Sequence, residues 1–262
     1  MSAEQTHVAY AYDAESGIAR ITLDDAAAGN PIHTASLEQL LAAARRVNAD
    51  GARVVVLAAR GRFFSVGGDL AQFGGADDMA AYIDDLADGL HRAVSELVRS
   101  DAIVVAAVQG AAAGAGFPLV AAADIVLAAR SASFTLAYTR AGLSPDGGSS
   151  MLVHTLGLHR ALRLALLNDR LGAEEAQAAG LVARVVEDAE LEAATEEIAG
   201  RLAAGAAGAQ ATTKRLLRQA AEPAPETRLR AEALGIRAQA GGPEGREGVS
   251  AFLAKRPPVF GG

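Results

Sequence analysis

The chain has 262 residues, about half of them hydrophobic, no cysteine and a formal charge of −7. That length suits one sizeable α/β domain or a core with a smaller helical appendage. The acidic balance excludes a general nucleic-acid surface, which needs clustered Lys and Arg, and the lack of cysteine excludes disulfides, thiolate metal sites and a cysteine nucleophile.

In chain order, the N-terminal stretch MSAEQTHVAY has neither the basic start nor the apolar run of a signal peptide, and no apolar run reaches the roughly 18 residues that span a bilayer, so a cytoplasmic, non-membrane protein is expected. VAYAYDAESGIARITL alternates apolar and polar residues around a turn ending at Gly17, which predicts a β-hairpin from Val8 to Leu23. After the loop DDAAAGNPIHT, Ser36 is the expected N-cap of an amphipathic helix reaching Asn48. RVVVLAA (53–59), AIVVAAV (102–108) and DIVLAA (124–129) are short, continuously apolar runs suited to parallel strands buried on both faces. A helical pattern from Met79 to Val98 connects the first two as a crossover.

From about Leu158 the pattern turns helical. NDRLGAEEAQAAG predicts a helix start and a glycine stop before the short strand LVARVV, and further helices run from Glu190 to Leu253 with breaks at Gly205, Pro223 and Gly241. Not alternating with strands, these last helices are expected to lie off the first sheet, covering a site or joining subunits.

Two glycine-rich loops follow buried strands: GRFFSVGGDL (61–70) and QGAAAGAGFPLV (109–120). Loops that leave strand C-termini and enter helices aim unpaired N–H groups at an acceptor, and two side by side can form an oxyanion hole. Gly110, Gly114 and Gly116 also fit the G-x-x-x-G-x-G spacing of short-chain dehydrogenases. Those enzymes pair the loop with Tyr-x-x-x-Lys, whereas the residues four beyond the tyrosines here are Ala14, Ser16, Leu86 and Gly142, so a nicotinamide cofactor is rejected. A third stretch, RAGLSPDGGSS (140–150), raises a different question. Its Pro, Asp and Gly residues suit a turn, and Asp146 is either a turn former or a base.

Together these motifs resemble the enoyl-CoA hydratase/isomerase (crotonase) superfamily over nearly the whole chain. The resemblance runs from the segment around Asn30 through FSVGGDL, GLSPDGGSS and NDRLGAEEAQAAGLV to EGVSAFLAKRPPVF. It implies an α/β fold, a spiral of β-β-α turns, with a core over residues 1–200 and a C-terminal helical trimerisation region over 201–262. It also implies a homotrimer or dimer of trimers. The implied chemistry is stabilisation of an enolate on an acyl-CoA thioester by the backbone amides of Gly68 and Ala115, with coenzyme A as part of the substrate and no separate cofactor or metal. For CoA and acyl binding it implies Arg62, Gly68, Asp69, Leu70, Ala115, Tyr138, Phe252 and Lys255.

This chain departs from a hydratase at two positions. The two glutamates that hydratases of the family use for water addition map onto Pro118 and Tyr138. Asp146 is the carboxylate left at a family catalytic position, as in members that isomerise dienoyl-CoA or 1,2-epoxyphenylacetyl-CoA, and FTLAYTRAGLSPDGGSS is closest to the latter branch. The expected activity is isomerisation with Asp146 as acid and base. The alternatives are a hydratase with other acid and base residues, or a non-catalytic acyl-CoA binder.

Overall fold

The computed structural model describes residues 5–260; residues 1–4 of the N-terminal stretch read above lie outside them. The hairpin forms as expected: β1 (Val8–Asp13) pairs antiparallel with β2 (Ile18–Leu23), with Val8 opposite Leu23. The chain then repeats one unit, a long strand, a short strand and a helix. The first unit is β2, β3 (Pro31–Ile32) and α1 (Thr34–Ala49). The second is β4 (Val54–Ala59), β5 (Gly67–Gly68), α2 (Leu70–Gly75) and α3 (Met79–Arg99). The third is β6 (Ile103–Val108), β7 (Ala111–Ala113) and α4 (Gly116–Ala121). The fourth is β8 (Ile125–Ala129) and β9 (Ser133–Thr135), then α5 (Leu152–Leu156) and α6 (Leu158–Leu167). β10 (Leu171–Gly172), α7 (Ala173–Ala178), β11 (Arg184–Val186), α8 (Leu191–Ala203), α9 (Ala207–Ala221), α10 (Pro225–Gly241) and α11 (Pro243–Leu253) complete the chain.

Long strands pair with long strands and short with short, which makes the repeats a spiral. The six-stranded sheet has the order β1-β2-β4-β6-β8-β11, parallel from β2 onward. The short strands pair as β3 with β5 and β7 with β9, and a bridge from Ser65 to Ala112 joins the two sets. Alternate residues of each long strand face opposite sides. Val55 and Leu57 join the main core, while Val54 and Val56 join a second cluster with Val105, Leu127 and Val186. Burial on both sides is why these strands are uninterrupted apolar runs.

The expectation that the last helices avoid the sheet fails for α8. It packs across β4, β6 and β8 and closes the second cluster with Leu191, Ala194, Ala199 and Ala203. Without it Val54, Val56 and Leu127 would face water; the small residues of α8 let it lie close against them. Residue 200 therefore falls inside a helix that belongs to the sheet's covering. Farther on, α10 packs along α3. Among the described residues, no helix is long and apolar enough to cross a membrane.

The N-cap of α1 also differs. His33 holds that position, its Nδ1 accepting from the Ser36 amide at 3.3 Å while Ser36 Oγ accepts from the His33 amide at 2.9 Å. Ser36 is the reciprocal partner of a capping box. Burial first, then neighbouring His7, holds the His33 imidazole below its ordinary range, against the opposing charges of Asp69 and Asp25. The folded protein thus binds fewer protons than the unfolded chain just below the unfolded value near 6.5. This stabilisation is present above that pH and is lost as pH falls through the folded value, because a proton on Nδ1 removes the acceptor. His33→Asn keeps a capping acceptor without the titration. The wild type should lose more stability than His33→Asn between pH 7 and 5 in urea melts; equal losses would show that His33 does not titrate with folding.

Candidate active site

The two glycine loops meet backbone to backbone. Gly67 has φ +90°, and a Cβ there would lie 2.8 Å from the Ala113 carbonyl oxygen. Gly114 has φ +50°, and a Cβ there would lie 3.4 Å from the Gly67 Cα. The next residues, Gly68 and Ala115, share the wall of one cavity of about 450 Å³. In the β3–β5 pairing the Asp69 amide donates to the Ile32 carbonyl at 3.1 Å, so by strand alternation the Gly68 N–H points the other way. Ala115 stands at the N-cap of α4, and among the described residues its amide has no acceptor. Asp69, also on the wall, caps α2 by accepting from the amides of Ala71 at 3.0 Å and Gln72 at 3.3 Å.

Leu70, Tyr138 and Phe252 line the same cavity, the last with 61% of its surface exposed at the edge. Arg62 and Lys255 do not. Arg62 is exposed, its guanidinium stacked 5.0 Å above the Phe63 ring, and Lys255 is exposed beyond the end of α11. Pro118 is buried in the first turn of α4 and faces a second cavity.

Asp146 lies on the cavity wall only 4% exposed, and its carboxylate makes no backbone bond to the turn that carries it. Instead Oδ1 lies 2.9 Å from Nε2 of His91, a buried histidine on α3, and among the described residues the other oxygen has no protein partner. The turn is held by other groups. Gly147 and Gly148 take φ of +76° and +97°. Tyr138 and Ser149 hydroxyls donate to the Asp146 carbonyl at 3.1 and 2.7 Å. Glu232, reaching down from α10, accepts from the amides of Gly148 at 2.8 Å, Ser149 at 3.1 Å and Ser150 at 2.8 Å, and also from the Ser150 hydroxyl. The turn is thus held without help from the Asp146 carboxylate.

Burial, then the Asp146 and Glu232 charges, push the Tyr138 phenol well above its ordinary value, so it remains a donor and does not act as a base at neutral pH. Burial raises the Glu232 carboxyl in the same way, opposed by its hydrogen bonds. Neither His91 nor Glu232 is among the residues expected from sequence. The signal for His91 lay in the helix period, which puts it on the buried face with Ile83, Ala87 and Leu90, where a polar residue needs a partner. Glu232 carried a weaker one, since it adjoins Ala233 and follows Leu229 on the buried side of α10.

A spiral of β-β-α turns whose two glycine loops and a buried carboxylate share one apolar cavity defines the class. The chain belongs to the enoyl-CoA hydratase/isomerase family, whose sequence profile matches residues 13–262. It is 39% identical over 258 residues to a probable enoyl-CoA hydratase of Rhodobacter capsulatus, covering 96% of this chain and 97% of that protein. It is 35% identical over 255 residues to the 1,2-epoxyphenylacetyl-CoA isomerase of Escherichia coli, covering 95% and 96%. Among solved structures, an enoyl-CoA hydratase from Mycobacterium avium subsp. paratuberculosis superposes with a TM-score of 0.89 at 31% identity, over 99% of this chain and all of that one.

Proposed function

We propose that the protein isomerises an unsaturated or ring-containing acyl-CoA, with Asp146 moving the proton and the amides of Gly68 and Ala115 holding the enolate. The observation that carries this reading is the setting of Asp146 on the cavity wall: it is 4% exposed, gives its turn no side-chain bond, holds Oδ1 against His91 and, among the described residues, keeps its other oxygen without a protein partner, whereas Asp69 is a helix cap. The Asp146 carboxylate removes a proton from a carbon conjugated to the thioester. The electrons move onto the thioester oxygen, and the resulting carboxylic acid returns the proton at a different carbon. One base suffices, as water addition does not. The amides act differentially, because the oxygen gains charge only as the proton leaves. His91 fixes the direction in which Asp146 presents its free oxygen.

The CoA arm runs past Gly68, Asp69 and Leu70 toward Phe252, with Arg62 and Lys255 outside the cavity available to phosphates beyond its mouth. The row Leu158, Leu162 and Leu166 along α6 and the pair Leu216 and Leu217 on α9 are exposed, which supports burial between copies of the chain, and a homotrimer or dimer of trimers is the assembly proposed.

Incubation with 3-enoyl-, dienoyl- and epoxyphenylacetyl-CoA in deuterated buffer should give isomerised product with deuterium at the reacting carbons. An acyl-CoA binder without catalytic power exchanges nothing, and efficient hydration of crotonyl-CoA would make the protein a hydratase with unusual groups.

A further inference from the structure

A second cavity, of about 260 Å³, lies behind the first. Its walls come from α3, α4, α5, the end of α9 and the start of α10, with Val94, Val98, Ala121, Met151, Leu152 and Leu229 as apolar lining. The two linings meet in the turn: Asp146 lines the first cavity, Gly148 lines the second, and Gly147 links them along the chain. A Cβ on Gly147 would lie 2.8 Å from Cδ2 of Leu90, which lines the first cavity, and 3.2 Å from Cγ of Pro118, which lines the second. α3 and α10 run along both spaces. On α3, Leu86 and Leu90 face the first and Val94 and Val98 the second, at steps of one helical turn.

The charged groups of the second cavity do not suit an anion. Arg99 pairs with Glu226 at 2.6 Å, Arg215 with Asp101 at 2.6 Å, Arg218 with Asp124 at 2.8 Å and His154 with Glu222 at 3.3 Å. Each cation there is already paired, which leaves the apolar walls to select an occupant. Adjacency supplies the rest: Leu90 on the wall of the first cavity and Pro118 on the wall of the second both lie against Gly147, the residue after Asp146.

We propose that the second cavity receives the distal end of the acyl chain, past a seam closed by the Leu90 side chain, so that the preferred substrates are thioesters extending well beyond the reacting carbons. This rests on the first cavity being the acyl-thioester site. Pro118 places a non-ionising ring beside that seam, where a hydrocarbon passes without stranding a charge.

Calorimetric titration with butyryl-CoA and decanoyl-CoA, which carry no double bond to move, tests the assignment. Full burial is worth roughly fourfold in affinity per methylene, so wild type should bind decanoyl-CoA at least about tenfold more tightly than butyryl-CoA even if only about two of its six additional methylenes are fully buried. Thr155→Trp and Ser95→Phe, which fill the second cavity from α5 and from α3, should each cut that ratio to about threefold or less, and Leu90→Ala, which opens the seam, should raise it. Plugged variants that both keep the wild-type ratio overturn the proposal, as does a wild type that binds the two thioesters equally. If the wild type binds neither, it is the acyl-thioester reading of the first cavity that fails.

Discussion

Asp146→Asn is expected to lower turnover of an isomerisable enoyl-CoA by about 10²- to 10⁴-fold while leaving KM within a few-fold of wild type, the range lost when a positioned acid-base group is removed. The substitution is unusually clean. Asparagine matches aspartate in shape and its amide oxygen can still accept from Nε2 of His91, 2.9 Å away in the wild type. The turn needs nothing from this side chain, since the Asp146 carbonyl accepts from Tyr138 and Ser149 and the following amides donate to Glu232. The thermal midpoint should therefore hardly move. Steady-state kinetics with a binding titration decide the matter: full turnover in this variant removes Asp146 from the chemistry, and loss of binding together with turnover makes it a structural residue.

Gly67→Ala is expected to cost about 100-fold or more in kcat, because the amides at Gly68 and Ala115 stay aligned only while the two loops touch through bare backbone. An added methyl would sit 2.8 Å from the Ala113 carbonyl and 3.2 Å from the Gly114 Cα, with φ at +90°, so the loops must separate. Backbone strain alone would cost about 1–3 kcal/mol of stability without touching catalysis. Gly51→Ala separates the two effects: φ there is +66° and nothing lies within 4 Å of the new methyl. Both variants should be less stable than wild type, and only the first should lose kcat. Equal activity in the two would mean that the contact between the loops does not set the site.

The elements legible in the sequence are those written by short-range rules. The hairpin to Leu23, the strands at 54–59, 103–108 and 125–129, and α3 follow from alternation, double-sided burial and helical period, each contained within about twenty residues. What was not legible depends on long-range pairing. His91 becomes meaningful only because Asp146, 55 residues later, meets it. Alanine-rich α8 gave no sign that it would cover the sheet, because a helix with small residues on its buried face has little amphipathic contrast. The cap of α1 falls on His33 and not on Ser36 because burial favours the neutral imidazole, whose Nδ1 can accept from an amide. Asp146 itself was ambiguous in sequence, since the turn residues around it suit either role. The bond to His91 gives its side chain an employment outside the turn.

Glu232 reaches back 82 to 84 residues to hold the amides of Gly148, Ser149 and Ser150. A chain still being synthesised can thus complete its strands, close its two loops and set Asp146 against His91, Tyr138 and Ser149 while those three amides of the turn still lack their acceptor. The Gly148–Ser150 turn is completed only when α10 docks on α3, so whatever depends on the rigidity of that turn belongs to the last stage of folding.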